Sequence, residues 1–200
     1  MAEQYFTSNP TSEHRYSKFE TEILGNTIVF HTDSGVFSKD GLDFGTRTLL
    51  EALPELYGRI LDLGCGWGAV GVSVGKKYPH TEIVMSDVNE RAMELARKNL
   101  AENGVTNATV FMSDAMDSVT GKFDFILNNP PIRAGKAVIY KMFDQASESL
   151  NEGGRLYVVI RKQQGAPSAK AHLQEKFDRV EVIAKEKSYW IVECAKEENA

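Results

Sequence analysis

Three short apolar runs of the chain each lead into residues whose types and spacing could do chemistry. The first run, 60–63, carries Asp62 and opens into a loop with glycine at alternate positions, Gly64, Gly66 and Gly68. Because glycine has no Cβ, the backbone can turn sharply there and a ligand can lie directly on it. The helical pattern that follows adds free N–H groups with a partial positive charge. The stretch therefore predicts a strand, a binding loop and a helix start.

The second run narrows the kind of ligand. The loop, with Ala69, also fits the dinucleotide pattern G-x-G-x-x-G/A, which is weak by itself because a tight turn gives the same letters. The run 81–87 ends in Asp87, about 20 residues beyond the loop. An acid at that place accepts hydrogen bonds from ribose hydroxyls in both dinucleotide and S-adenosylmethionine sites. Up to this point the sequence predicts a nucleoside cofactor without identifying which.

The third run, 122–127, leads into Asn129, Pro130 and Pro131. Two consecutive prolines cannot continue a sheet because neither has an N–H to donate. They stiffen the backbone at the carboxyl end of a strand, where open α/β sheets bind their ligands. The side-chain oxygen of Asn129 can accept a hydrogen bond. We therefore expect a polar acceptor close to the cofactor loop.

These motifs, in this order, resemble those of the S-adenosylmethionine-dependent methyltransferases that act on exocyclic amines. Two further segments, 31–38 and 41–46, make the resemblance closer. Together with Asn-Pro-Pro they resemble the methyltransferase-small domain, the catalytic domain of bacterial small-subunit (16S) ribosomal RNA guanine-N2 methyltransferases. The resemblance covers residues 18–195, and the chain is more similar to the short, single-domain relatives than to the larger ones with an additional N-terminal domain.

The resemblance implies S-adenosylmethionine as cofactor and S-adenosylhomocysteine as product. It implies that Asp62 faces the amino group of the donor, Asp87 its ribose and Asp114 its adenine. The segment around Phe37 would lie over the methionine end. The complete predicted set of cofactor-binding residues is Asp62, Gly64, Cys65, Gly66, Gly68, Asp87, Val88, Asp114, Ala115, Asn129, Phe37 and Thr46.

The predicted catalytic residues are Asn129, Pro130, Pro131 and Ile132. An exocyclic amine is a poor nucleophile because its lone pair is delocalised into the ring. Two acceptors aimed at its hydrogens, the Asn129 side-chain oxygen and the Pro130 carbonyl, would favour a pyramidal nitrogen. Ile132 stands where the family commonly has an aromatic residue that stacks on the base, so stacking is expected from Phe37 or from a residue such as Tyr140.

The net charge of −5 is unusual for a protein that binds RNA, because phosphate attraction normally needs a basic face. Local patches nevertheless set the field. Four basic residues follow predicted strands near the expected substrate entrance. Each of them alone is more simply explained as a solvent-exposed charge. The predicted substrate-binding residues are Arg133, Lys136, Arg161 and Lys162.

The order of elements predicts an α/β fold. Strands and helices alternate from residue 59 to residue 161, which indicates a parallel sheet with helices on both faces. A hairpin at Gly25-Asn26 precedes this core, and the runs 179–185 and 188–195 form a second hairpin that adds an antiparallel edge strand. The resemblance implies the doubly wound, seven-stranded, Rossmann-like sheet of class I methyltransferases. We expect one domain, 1–200, with residues 1–17 as a flexible tail.

The composition excludes several classes of protein. The chain is 42% apolar and 26% charged, without an apolar run of membrane-spanning length or a signal core. Its two cysteines, Cys65 and Cys194, form neither a disulfide framework nor a metal-ligand spacing, and no base stands beside Cys65 to make it a nucleophile. We expect a cytoplasmic enzyme without a metal, with a monomer favoured.

Three functions remain open from the sequence. The first is methylation of an exocyclic amine of RNA, with guanine N2 of ribosomal RNA favoured by the segment 35–38. The second is methylation of adenine or of a protein glutamine. A nicotinamide-dependent oxidoreductase would explain the glycine loop and Asp87, but it leaves the double proline unused, and no catalytic Tyr-Lys or His constellation is evident. A non-catalytic RNA-binding module would need neither Asp87 nor Asn129.

Overall fold

The computed structural model describes residue 8 and residues 11–197. Residues 1–7, 9 and 10 of the predicted flexible tail lie outside the described residues. The segment 11–16 has no regular secondary structure, yet it is bound to the body of the protein. The Arg15 backbone N–H donates to Asp33 Oδ1 at 2.6 Å, and Arg91 donates to the Ser12 carbonyl at 2.9 Å. This part of the predicted tail is therefore anchored.

The elements follow the predicted alternation. The strands are β1 Ser17–Ile23, β2 Asn26–Thr32, β3 Arg59–Leu63, β4 Glu82–Asp87, β5 Ala108–Met112, β6 Phe123–Asn128, β7 Leu150–Arg161, β8 Arg179–Glu186 and β9 Tyr189–Ala195. The helices are α1 Phe44–Ala52, α2 Ala69–Lys77, α3 Glu90–Glu102, α4 Lys136–Glu148 and α5 Ala166–Gln174, with short 3₁₀ turns at Ile132–Ala134 and Lys162–Gln164.

The main sheet has seven strands in the order β5-β4-β3-β6-β7-β9-β8. Strands β5, β4, β3, β6 and β7 pair in parallel, whereas β9 pairs antiparallel with both β7 and β8. The predicted fold class is confirmed, with the antiparallel strand β9 inserted beside the edge strand β8. The strands β1 and β2 form the predicted N-terminal hairpin as a separate two-stranded sheet. The carboxyl ends of β3, β4 and β6 consequently lie side by side.

Apolar side chains cover both faces of this sheet. One core cluster contains residues of α1, α2 and α3 together with Ile28 and Phe30 of the hairpin. The other contains residues of α4 and α5. Successive residues of β3 alternate between the faces, so that Ile60 belongs to the first cluster and Leu61 to the second. In the part of the chain that the structure describes, no helix is long and apolar enough to span a membrane.

Helix ends near the site have identifiable caps. The Asp43 side chain accepts from Thr46 N and begins α1, and the Asn89 side chain accepts from Ala92 N and begins α3. Helix α2 begins after Gly68, which has a left-handed backbone with φ of 96°. The helices α1 and α3 thus start at side chains that lie beside the carboxyl edge of the sheet.

The sequence pattern predicts a strand over 155–161 and a helix over 169–176, and both elements begin earlier in the structure. Strand β7 begins at Leu150 instead of 155 and contains an irregularity in its pairing with β6. Helix α5 begins at Ala166, with Pro167 in its first turn, instead of at 169. Proline is compatible with the first turn because its missing N–H has no intrahelical partner there.

Gly154→Ala should destabilise the protein by about 1–3 kcal/mol, because a methyl group at this position overpacks the β6–β7 junction. A Cβ on Gly154 would lie 2.8 Å from the Asn151 carbonyl oxygen and 3.0 Å from that of Phe123. Both are backbone atoms, which cannot rotate away. Urea unfolding measures the effect, and an unchanged midpoint would contradict this account of the irregularity in β7.

Candidate active site

One cavity of about 290 Å³ lies at the carboxyl ends of β3, β4 and β6. Most of the residues predicted for the cofactor and the acceptor line it. These are Phe37, Thr46, Asp62, Gly64, Cys65, Gly66, Asp87, Val88, Asp114, Ala115, Asn129, Pro130 and Pro131. Residues 92 positions apart in the sequence, from Phe37 to Asn129, therefore meet in one space.

Two predicted site residues do not line this cavity. A Cβ on Gly68 would lie 3.1 Å from both Met85 Cε and Val72 Cγ2, so this glycine allows close packing of α2 on the sheet. Ile132 is partly buried against the core cluster on the α4 side. Both positions serve packing, and direct binding of cofactor or acceptor by these two residues stays a prediction.

The four predicted substrate-binding cations also lie outside the cavity wall. Arg133 belongs to the 3₁₀ turn at 132–134, next to the cavity residue Ala134, and Lys136 is the first residue of α4. Arg161 ends β7, and Lys162 follows it in an exposed turn. The first pair is therefore close to the cavity in sequence, while the second pair lies at the carboxyl end of the neighbouring strand.

Two acids face the cavity from β3 and β4. Asp62 is only 3% exposed, and its Oδ2 accepts from the Gly71 N–H of α2 at 2.7 Å. Burial, followed by the nearby charge of Asp87, raises the pKa of Asp62 to about 7. Asp87 accepts from Gly66 N at 2.7 Å and from Asn89 N at 2.8 Å, and burial raises its pKa as well. Without a ligand, the site therefore disfavours the ionised forms of Asp62 and Asp87.

The glycine loop is held in shape by backbone contacts. The N–H groups of Gly64 and Cys65 both donate to the Ser86 carbonyl at 2.9 Å. Gly64 and Gly66 have φ angles of 71° and 54°, which non-glycine residues rarely adopt. Burial raises the pKa of the Cys65 thiol well above its usual range. This thiol is therefore protonated at neutral pH and is a poor nucleophile.

The Asn129 side chain is held by a residue of helix α1. Its Nδ2 donates to Thr46 Oγ1 at 2.9 Å. The Thr46 hydroxyl in turn donates to Asp43 Oδ2 at 2.5 Å, and the Thr46 backbone N–H donates to Asp43 Oδ1 at 3.0 Å. The hydroxyl of Thr46, predicted to bind cofactor, is thus engaged with protein partners.

The two aromatic residues considered for base stacking lie in different surroundings. Phe37 lines the cavity and is 40% exposed, and its carbonyl accepts from Trp67 Nε1 at 2.7 Å. Tyr140 lies instead in a stack with His172, with ring centroids 4.0 Å apart. Of these two rings, only Phe37 lines the cavity.

Several cavity residues were not predicted. They are Asp43, Trp67, Ala69, Val70, Ser86, Ala92, Ser113, Ala134, Val138 and Met142. Asp43 carried a usable signal, since an Asp three residues before Thr46 is a typical helix cap. Val138 and Met142 carried none, because apolar residues on a helix give no indication of whether they face a core or a cavity.

The cavity fits a cationic nucleoside. Among the residues that the structure describes, no Lys, Arg or His nitrogen lies within 4.0 Å of the carboxylates of Asp62 or Asp87. The buried Ser86 Oγ also has no hydrogen-bond partner there. A ligand with a positive charge and hydroxyl donors would satisfy these groups, and the remaining wall is largely apolar. No group of three metal-ligating side chains occurs within residues 11–197.

Comparison with known proteins agrees with this geometry. The family model "Methyltransferase small domain" matches residues 27–193. The chain is 42% identical to "Uncharacterized protein YbxB" of Bacillus subtilis over 98% of this chain and all of that protein. It is 37% identical to "Ribosomal RNA small subunit methyltransferase C" of Haemophilus influenzae over 83% of this chain and 50% of that protein. The chain thus spans about half the length of the ribosomal RNA methyltransferases that it matches.

A solved structure extends the comparison. The T. thermophilus 16S rRNA N2 G1207 methyltransferase (RsmC), in complex with AdoMet and guanosine, superposes with a TM-score of 0.83 at 28% identity, covering 94% of this chain and 52% of that one. A ribosomal protein L11 methylase of Lactobacillus delbrueckii shares the fold at 19% identity, with a TM-score of 0.66 over 76% of this chain and 77% of that one.

The fold and the cavity define a class I methyltransferase that uses S-adenosylmethionine. The chain belongs to the methyltransferase small domain family.

Proposed function

We propose that this protein transfers a methyl group from S-adenosylmethionine to an exocyclic amine of RNA, with guanine N2 of small-subunit ribosomal RNA as the target. The observation that carries the proposal is Asn129. In the described part of the chain its Oδ1 accepts no hydrogen bond, and it lines the same cavity as Asp62 and Asp87. The names of the relatives and the guanosine bound to the T. thermophilus enzyme support guanine as the acceptor.

The cofactor would be held along the carboxyl edge of the sheet. Asp62 would accept from the donor's amino group, Asp87 from its ribose hydroxyls and Asp114 from its adenine amine. Asp114 is well exposed and lies 3.7 Å from Lys141 Nζ, so its contribution is expected to be the weakest of the three. The bound cofactor supplies a methyl group on a positively charged sulfur, which is a strong methyl donor.

The protein's own part in the reaction is positioning. Asn129 Oδ1 and the Pro130 carbonyl would accept the two hydrogens of the amine and direct its lone pair toward the methyl group. Such alignment at near-attack distance lowers the barrier without a strong base, because the proton can leave after methyl transfer. Phe37, exposed on the cavity wall, would stack on the base in place of the aromatic residue that the family commonly has where this chain has Ile132.

Basic residues beside the cavity would hold the RNA backbone. The Arg161 guanidinium lies over the Tyr189 ring at 5.1 Å, and Lys187 Nζ lies over the Phe44 ring at 4.0 Å. Phe44 adjoins the cavity residue Asp43 in sequence. Within the described ranges, none of the cations Arg133, Lys136, Arg161, Lys162, Lys185 and Lys187 lies within 4.0 Å of a carboxylate. These charges are available to phosphates despite the net charge of −5.

The test is labelled methyl transfer. The purified protein is incubated with S-adenosylmethionine labelled in its methyl group and with small-subunit ribosomal RNA or assembled subunits from cells that lack the corresponding gene. Nucleoside digestion should give labelled N2-methylguanosine. Label in N6-methyladenosine, or in protein glutamine when ribosomal proteins are offered, would overturn the assignment of guanine. Absence of label from all of these would overturn the RNA function.

Affinity for S-adenosylmethionine should fall as the pH drops below about 7. The pKa of Asp62 is raised to about 7 in the free protein, so below that pH its carboxyl carries a proton. A cationic ligand favours the carboxylate, and binding must then release that proton, which costs up to about tenfold in affinity per pH unit. Above about pH 7 the affinity should level off. Calorimetry from about pH 5.5 to 8 measures the slope, and Asp62→Asn should flatten it. An equal slope in both proteins would contradict this role for Asp62.

A further inference from the structure

The amide of Asn129 can be placed in two ways that differ only by exchange of its oxygen and nitrogen. Only one of them directs the oxygen at an amine substrate. The contacts of Thr46 decide between the two, because a hydroxyl group has one hydrogen to donate. The distances from Thr46 Oγ1 to Asp43 Oδ2 and to Asn129 Nδ2 are 2.5 and 2.9 Å, so both are hydrogen bonds.

Asp43 determines which group donates and which accepts in this row of hydrogen bonds. A carboxylate only accepts, so the hydroxyl hydrogen of Thr46 must point toward Asp43. The Thr46 oxygen can then only accept from Asn129, which places the Asn129 NH₂ group toward Thr46. In the exchanged placement, two oxygens would face each other without a hydrogen between them. Thr46 is 3% exposed, so water does not readily replace the lost bond.

We propose that Asp43 and Thr46 are positioning residues that set the polarity of the Asn129 amide and so leave its Oδ1 free for the acceptor amine. This proposal rests on the proposed function of Asn129 in amine methylation. Asp43 and Thr46 need not touch either substrate for this purpose. They act through Asn129, and helix α1 places them because Asp43 also caps its N-terminus.

Asp43→Asn is the sharpest variant. Asparagine caps helices about as well as aspartate, so α1 and the thermal stability should be retained. Its NH₂ group would donate to Thr46 Oγ1, however, and would free the hydroxyl hydrogen to point toward residue 129. These hydrogen bonds would then favour the Asn129 amide with its oxygen, instead of its NH₂ group, toward Thr46. We expect kcat for RNA methylation to fall at least about tenfold, with the Kd of S-adenosylmethionine within about twofold of the wild-type value.

Thr46→Val and Thr46→Ser form the matched pair. Valine keeps the shape of threonine and removes the hydroxyl, so kcat should again fall about tenfold, whereas serine should restore it. In an Asn129→Ala background, Thr46→Val should have no further effect, because the group that it positions is gone. A purely structural role of Thr46 would instead lower stability in both backgrounds.

A second measurement does not depend on the acceptor. In ¹⁵N-labelled protein, the side-chain NH₂ protons of Asn129 should show NOEs to the Thr46 side chain, and Asp43→Asn should remove them. If Asn129→Ala retains turnover, the proposed function of Asn129 fails. If Asn129→Ala loses turnover while Asp43→Asn and Thr46→Val keep it, and Asp43→Asn also keeps the NOEs, only the positioning proposal is overturned.

Discussion

Asn129→Ala should lower the turnover of RNA methylation by about 10²–10³-fold while leaving the Kd of S-adenosylmethionine within about twofold. The substitution removes the acceptor that would meet the amine only as its nitrogen becomes pyramidal. It leaves Asp62, Asp87 and the glycine loop, which also line the cavity, untouched. Single-turnover methylation with saturating cofactor separates this loss from any change in binding.

Asn26→Ala is a suitable control for Asn129→Ala. Asn26 is the first residue of β2, next to the hairpin turn, and its side chain donates to the Leu24 carbonyl and does not line the cavity. Its replacement should leave turnover unchanged. Comparable loss of cofactor binding and turnover in Asn129→Ala would show that Asn129 supports the cofactor, and the mechanism proposed for the amine would be wrong.

Asp87→Ala should lower the affinity for S-adenosylmethionine and for S-adenosylhomocysteine equally, by about 100-fold. Two hydrogen bonds between ribose hydroxyls and a carboxylate would be lost, each worth about 1.5 kcal/mol. Both ligands carry the same ribose, so the loss does not depend on the methyl group. Calorimetric titration with each ligand measures it.

Asp114→Ala provides the comparison for Asp87→Ala. The Asp114 side chain is 69% exposed, so water competes for its hydrogen bonds and the loss in affinity should be only a few-fold. Asp87 also accepts from Gly66 N, so circular dichroism must show that the variant is folded. Equal losses from the two substitutions would contradict the assignment of Asp87 to the ribose.

The parts of the site that follow strands could be predicted from the sequence. Asp62, Asp87 and Asn129 each stand at or just beyond the end of an apolar run, and parallel strands bring such ends to one edge. The type and order of the elements followed from the same runs. The start of α5 was harder to place, because Pro167 resembles a helix breaker until it is seen to lie in the first turn.

The contacts between distant segments could not be predicted in this way. Thr46 and Asn129 are 83 residues apart, and nothing in either local sequence indicates that they share a hydrogen bond. The orientation of Ile132 toward the core depends on how α4 packs, which local spacing does not specify. The anchoring of residues 11–16 depends on Asp33, whose buried carboxylate has no local signature. Side-chain direction and long-range pairing are therefore what the structure adds.

The two prolines after Asn129 also have a consequence for molecular discrimination. Pro130 and Pro131 have no N–H, and the NH₂ group of Asn129 is already bound to Thr46. Pro130 and Pro131 can therefore accept hydrogen bonds through their carbonyls but have no backbone hydrogen to donate. A keto oxygen placed there would leave acceptors facing one another without hydrogens, which selects strongly against it. Guanine carries an amine at one end of its pairing edge and a keto oxygen at the other, so the same wall would also choose which end of the base enters.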